Sequence, residues 1–217
     1  MPIYKQEEYP SVIERIKTKI AQKNIDLGPT VSEADIIAFE RACNTRLPQA
    51  YRLFLLEVGD GWRDPAMGHI STGSIHRLAE IEHKELSLPM TLTDGWLWEV
   101  EEDEEQLSDE SFEHKLGNQG VELMDEGCGM TYELITAGSC AGEVWSFSDV
   151  GVSPCCERQD FLGWFELWLD SDGEATLTIS RIMSTKKTNS ICHRGLSGPV
   201  CLVLMRLEHL EEVLVRR

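Results

Sequence analysis

Several common functional signatures are missing from this chain. It has no Gly-x-x-x-x-Gly-Lys and no Gly-x-Gly-x-x-Gly after a strand-like run, so no phosphate loop or dinucleotide fold is indicated. It has no Cys-x-x-Cys pair, and its seven cysteines are an odd number. Cys155 and Cys156 are adjacent, a poor geometry for sharing one tetrahedral zinc. The cysteines therefore read as reduced thiols, and neither a cofactor nor a metal is expected. Long apolar runs are missing too. The longest late one, Val200 to Met205, is far too short to span a bilayer, and the opening MPIYKQEEYP lacks the basic patch and apolar stretch of a signal peptide. The expectation is a cytoplasmic protein.

Positive charge is also scarce. Lys and Arg total 20 against 38 Asp and Glu, a formal net charge of -18. Such a chain is repelled by nucleic acid and by anionic membranes, so direct binding to either is not expected. A basic protein is the natural complement, because opposite potentials speed encounter and orient docking. The acidity does not come from a disordered composition: 41% of the 217 residues are hydrophobic and 27% charged, ordinary for a folded protein. The length suits one large domain, or one domain with an appendage.

The N-terminal third reads as helical. Val12, Ile13, Ile16 and Ile20 fall on one helix face. After a break from Asn24 to Pro29, Ser32 is a capping residue and Asp35 suits the positive end of a second helix. Pro48 suits the first turn of a third, whose buried face is Tyr51, Phe54, Leu55 and Val58; Gly59-Asp60-Gly61 stops it. The middle changes to short apolar runs between turn residues, with candidate strands near Gly68 to Ile75, Gly95 to Val100, Tyr132 to Ala137 and Glu143 to Phe147. Between them runs EVEEDEEQLSDESFE, residues 99 to 113, a charge block on a loop or an exposed helix. FLGWFELWLD, residues 161 to 170, returns to helical period with Phe161, Trp164, Phe165, Trp168 and Leu169 on one face. In the tail, Thr176 to Ile182 alternates like a strand, Met183 to Ser190 is polar, and Pro199 to Arg217 carries a helical stripe.

Three constellations could carry chemistry. Gly138-Ser139-Cys140-Ala141-Gly142 has the spacing of a cysteine nucleophile elbow, which would make the protein a thiol hydrolase using Cys140. An elbow needs a helix after the nucleophile. Here Glu143-Val144-Trp145-Ser146-Phe147 is strand material, so the stretch reads as a β-hairpin with Gly138 and Gly142 in its turn. His69, His76 and His83 recur every seven residues, but Gly68 and Gly73 argue against the continuous helix that would align them. His114 lies near Glu110 and Glu113, with nothing to fix a metal geometry. The acid block remains. Its bland reading is a solvated loop; its functional reading is a surface imitating nucleic-acid phosphates toward a basic active site.

Several segments resemble the SUKH superfamily in the right order. VSEADIIAFERACNTRLPQAYRLFLLEVGDG, residues 31 to 61, is similar to its opening, with Leu47, Pro48, Tyr51 and Phe54 at motif positions. Gly127-Cys128-Gly129, Tyr132 to Ile135, Gly138, and Gly142-x-Val144-Trp145 resemble its central region. Phe161, Trp164, Phe165 and Trp168 resemble its closing helix. Leu47, Pro48, Tyr51, Phe54, Gly127, Gly129, Gly138, Gly142, Trp145, Trp164 and Trp168 are thus expected to be structural. The resemblance implies an α+β fold, N-terminal helices packed on a twisted, mostly antiparallel sheet, followed by the aromatic helix. An extra strand/helix tail would lie beyond it, giving a domain over 1–172 and an extension over 173–217 whose role stays open. It also implies a non-enzymatic binding module. In bacteria that means an immunity protein neutralising a cognate toxin, often a nuclease; in the yeast cell-wall-assembly regulator it means a regulatory or scaffold protein. Candidate partner contacts are the acids Glu99, Glu101, Glu102, Asp103, Glu104, Glu105, Asp109 and Glu110, and three tryptophans expected to be exposed, Trp62, Trp96 and Trp98. Oligomeric state is left open.

Overall fold

The computed structural model describes residues 4–63, 74–98, 108–155 and 158–171. Five α-helices are formed there: α1 (Tyr9–Lys23), α2 (Glu33–Ala42), α3 (Gln49–Glu57), α4 (Asp109–Leu116) and α5 (Phe161–Asp170). The strands are β1 (Leu27–Gly28), β2 (Asp60–Trp62), β3 (Gly120–Gly127), β4 (Met130–Ile135), β5 (Val144–Phe147) and β6 (Val152–Pro154). The fold is α+β, as the sequence indicates. The expected tail elements and the 173–217 extension lie outside the described residues, as does most of the expected strand from residue 68 to 75.

Local signals account for the helices. α1 buries Val12, Ile13 and Ile16, the period-3.6 face, and ends at Asn24, whose positive φ of 53° makes a left-handed cap. Ser32 caps α2: its Oγ accepts from the Asp35 backbone N–H at 3.2 Å. Pro48 sits at the cap of α3, one residue earlier than the first helical turn, because its extended ψ of 143° is not helical. Asp160 caps α5 by accepting from the Gly163 N–H at 2.8 Å.

α5 departs from the one-sided helix of the sequence reading. It buries Phe161, Leu162, Gly163, Trp164, Phe165, Glu166, Trp168 and Leu169, because helices lie on one side of it and the sheet on the other. Toward α3, the Phe161 ring is 4.5 Å from Tyr51 and the Phe165 ring 4.6 Å from Phe54. Toward the sheet, Trp164 meets Tyr132 at 5.9 Å and Trp168 meets Trp62 at 5.1 Å. Toward α1, Glu166 accepts from Arg15 and Tyr4, and Lys19 pairs with it at 2.8 Å.

The sheet is antiparallel, in the order β3-β4-β5-β6, with β1-β2 as a second ribbon. Single bridges from Ile75 to Trp62 and to Met124 carry the pairing across from β2 to β3. Leu134 opposite Val144 and Glu133 opposite Trp145 set the β4–β5 hairpin expected from the sequence. The β3–β4 turn is a two-residue one at Cys128-Gly129, with φ of 53° and 73°; that geometry matches the right-handed twist of the strands.

Two faces of this sheet are covered. Val121, Leu123, Tyr132, Leu134 and Val144 join the helical core. Ile135, Trp145, Phe147 and Val152 join a second core with Met90, Trp96, Leu116 and Cys140. Alternation along β4 and β5 divides the residues between these cores, and all four residues of β5 are buried. Among the described residues, the second core is roofed by the chain from Leu88 to Trp98 and by Leu116 of α4.

Candidate functional site

The roof over the second face carries two of the candidate residues that the structure describes, Trp96 and Trp98. Polar pins along its length hold it down. Leu88 and Asn118 exchange two hydrogen bonds, Leu88 N–H to Asn118 Oδ1 at 2.7 Å and Asn118 N–H to the Leu88 carbonyl at 3.2 Å. The Thr91 N–H donates to the Lys115 carbonyl at 3.0 Å, tying the roof to the end of α4. Trp96 and Val152 exchange both backbone bonds at 2.8 Å, and the Trp98 indole N–H donates to the Asp149 carbonyl at 2.8 Å. The Lys115 ammonium sits 3.8 Å from the Trp96 ring centroid, a cation–π contact.

Arg158 is the central pin. Its Nη2 donates to Glu143 Oε1 at 2.9 Å, Nε to both carboxylate oxygens at 3.1 and 3.2 Å, and Nη1 to the Thr93 carbonyl at 2.6 Å. Glu143 also accepts from the Trp145 indole N–H at 3.0 Å, and its side chain is only 7% exposed. A carboxylate buried that far needs a cation and donors, and Arg158 supplies them. Glu143 in return raises the already high guanidinium pKa of Arg158. The hairpin turn, the roof at Leu92–Thr93 and the approach to α5 are thus joined through one side chain.

Cys140 belongs to this assembly. Its buried Sγ donates to the Leu92 carbonyl at 3.2 Å and accepts from Arg158 Nη2 at 3.1 Å. It lies between β4 and β5, two strands, and not at a strand-to-helix turn. Gly138 and Gly142 take the positive φ values of 103° and 97° in that connection. At Gly138 an added Cβ would stand 2.3 Å from the Met90 carbonyl oxygen, so glycine is required for close approach of the roof as well as for backbone angle.

The candidate tryptophans are placed differently from one another. Trp96 is 5% exposed and belongs to the second core; as an exposed anchor it is corrected, because its backbone pairs with Val152 and turns the ring inward. Trp62 and Trp98 are half-buried, Trp62 against Trp168 and Trp98 against Trp96. Of the strand expected from Gly95 to Val100, residues 95–98 are described, and among these Trp96 forms a bridge to Val152; residues 99 and 100 lie outside the described residues. Asp109 and Glu110 are exposed in the first turn of α4, where the helix dipole favours negative charge. Glu99, Glu101, Glu102, Asp103, Glu104 and Glu105 lie outside the described residues. The motif residues Leu47, Tyr51, Phe54, Trp145, Trp164 and Trp168 are buried, and Pro48 caps α3. Gly127 ends β3 and Gly129 is the second residue of the β3–β4 turn, both with positive φ.

Arg158, Glu143 and Glu133 are not among the candidate site residues named from the sequence, where Glu143 and Glu133 enter only as strand positions. Glu133 lies buried in β4, where it accepts from the Gly120 N–H at 2.8 Å. Burial pushes its pKa up, against the Lys84 charge and that N–H. A usable signal existed: Glu133, Glu143 and Glu166 each interrupt an otherwise apolar run, and a carboxylate in such a run implies a paired cation elsewhere.

Among the described residues, no group of three or more metal-capable side chains is gathered, and no helix is long and apolar enough to cross a membrane. No curated protein matches the chain. The model of the SMI1 / KNR4 family (SUKH-1) matches residues 30–160, more than half of the chain and the span from the approach to α2 as far as the cap of α5. Roles in that family are immunity and regulation, and its members are generally non-catalytic. The match spans α2, α3, α4 and all of the strands from β2 to β6, and the chain belongs to the SMI1 / KNR4 family (SUKH-1).

Proposed function

We propose that this protein is an immunity protein that neutralises a cognate toxin in the cytoplasm by stoichiometric binding, the toxin being a nuclease or another protein with a basic active site. The observation that carries this reading is the net charge of -18 on a chain of this binding family. A basic partner meets such a surface faster than a neutral one, and screening by salt slows the encounter. The placement of the roof supports the same reading. Its end at Trp98 directly precedes the acid block, the start of α4 at Asp109 falls within that block, and both elements are anchored on the second face of the sheet.

Protection demands tight binding. A nanomolar complex corresponds to about -12 kcal/mol, within reach of an interface of roughly 1,600 Å² with a few good buried anchors. The half-buried rings of Trp62 and Trp98 are the described candidates for anchors.

The test is co-expression with the toxin encoded next to this protein's own gene. The expected result is restored growth and a 1:1 complex with a Kd of about 1 nM by titration calorimetry. Absence of both protection and complex rejects immunity and leaves a regulatory binding role for the same fold. Hydrolase activity that disappears in Cys140→Ala while the fold persists would overturn the non-enzymatic reading altogether.

A further inference from the structure

The chain holds three Asp-Gly pairs. Asp172-Gly173 lies outside the described residues. The other two have opposite surroundings. Asp60 is 8% exposed, and its Oδ1 accepts from the Leu78 N–H at 2.9 Å. Asp94 and Gly95 are both exposed, on the roof. The peptide they share is the free one in a run of held ones. The Leu92 carbonyl accepts from Cys140, the Thr93 carbonyl accepts from Arg158, and the Trp96 N–H donates to Val152. Among the described residues, nothing bonds the Asp94 carbonyl or the Gly95 N–H. The Asp94 carboxylate is itself addressed: the Thr93 hydroxyl donates to its Oδ2 at 3.0 Å.

We infer that Asp94-Gly95 is a site of spontaneous isomerisation to L-isoaspartate, and that this modification unpins the roof. Glycine has no side chain to shield its own nitrogen. The Gly95 nitrogen bonds to Asp94 Cγ while the Cγ–Oδ2 bond breaks. Oδ2 leaves as water with the amide proton and a solvent proton, and the Thr93 hydroxyl steadies it as it departs. A cyclic imide results. Water then adds to the former Asp94 carbonyl carbon, and the bond from that carbon to nitrogen breaks. The chain is left linked through Cβ and Cγ, with a free α-carboxylate and a proton returned to solvent. Water is the only co-reactant.

The main chain is now longer by one carbon, between two fixed points. Thr93 is held by Arg158 at 2.6 Å, and Trp96 by Val152 at 2.8 Å. There is no slack alongside: a Cβ on Gly95 would stand 3.2 Å from Ser153 Cβ and 3.3 Å from the Val152 carbonyl oxygen. One of the two pins therefore has to release. The inference is independent of the toxin-binding reading.

The test holds the full chain at neutral pH and body temperature for several weeks. L-Isoaspartate is counted by methyl transfer from labelled S-adenosylmethionine with an isoaspartyl carboxyl methyltransferase, and located by electron-transfer fragmentation of peptides. About tenfold more should form at Asp94 than at Asp60, because a buried pair reacts only through opening of the fold. Asp94→Glu keeps the charge but requires a larger ring, and should remove the signal there with an unchanged melting temperature. In the isoaspartyl fraction, separated by ion exchange, amide exchange at Trp96 should speed about tenfold while Val121 keeps its rate. Equal isoaspartate at Asp94 and Asp60, or an unchanged Trp96 rate in that fraction, would each overturn the inference.

Discussion

Replacing Glu166 by glutamine tests how the N-terminal helix is held to α5. Glu166 is buried, yet its carboxylate is met by the Arg15 guanidinium at 2.5 and 2.8 Å, the Lys19 ammonium at 2.8 Å and the Tyr4 hydroxyl at 2.7 Å. Burial pushes its pKa up, but those three hydrogen bonds and the Lys19 charge outweigh it and bring the value down from 4.5 to about 2. At 1.36 kcal/mol per unit that displacement is worth about 3 kcal/mol. Arg15 is 43% exposed, so solvent screening reduces the expected figure to about 1–2 kcal/mol.

The pH window follows from the direction of the shift. The folded-state pKa lies below the unfolded one, so the contribution is fully present above about pH 4.5 and is lost as pH falls through about 2. Asp60, Asp160 and Glu133 act in the opposite sense. Burial raises their pKa values, so each favours the folded state most at low pH, and its contribution declines as pH rises through the folded-state pKa. The difference between wild type and Glu166→Gln removes those shared terms. Urea unfolding followed by tryptophan fluorescence should show a gap of about 1–2 kcal/mol at pH 7 that falls below half its size at pH 3. An equal gap at both pH values would refute the electrostatic account. A gap under about 0.3 kcal/mol at pH 7 would show the network to be mere surface pairing.

Gly138→Ala should cost about 2–4 kcal/mol by thermal unfolding, combining the left-handed backbone with the clash on Met90. Gly129→Ala shares the positive φ but meets nothing nearer than 3.9 Å, so about 1 kcal/mol is expected; equal losses would refute the close-approach argument. Arg158→Ala should destabilise by about 2–3 kcal/mol and speed amide exchange at Thr91 and Trp96, because Glu143 loses its cation and the roof its pin. Exchange that rises uniformly over the sheet would argue against a local pin. Converting Glu101, Glu102, Asp103, Glu104 and Glu105 to their amides should slow association with the toxin about tenfold at low salt and flatten its salt dependence, with an unchanged melting temperature; an unaltered on-rate would remove the steering role.

The sequence by itself determined whatever is encoded within a few residues. The apolar face of α1, the Ser32 cap of α2, the Tyr51 and Phe54 face of α3, and the glycines between β4 and β5 are local signals. They were legible because helical period, capping and turn chemistry act over one or two turns of chain. Net charge was legible too, as a sum over residues. Tertiary structure alone decided the rest. β3 was not legible: GVELMDEG holds three charged side chains among its apolar ones, and only pairing with β4 makes it a strand. Trp96 looked like an available ring until its backbone paired with Val152, 56 positions along the chain. Glu143 reads from the sequence only as strand material, and its burial comes from Arg158 and Trp145, which enclose it. Cys140 had nucleophile spacing, but the elements flanking it are two strands and its Sγ partners come from the roof and Arg158. In each case the deciding contact joins residues whose proximity exists only after the two faces of the sheet have been covered, so no local pattern could have carried it.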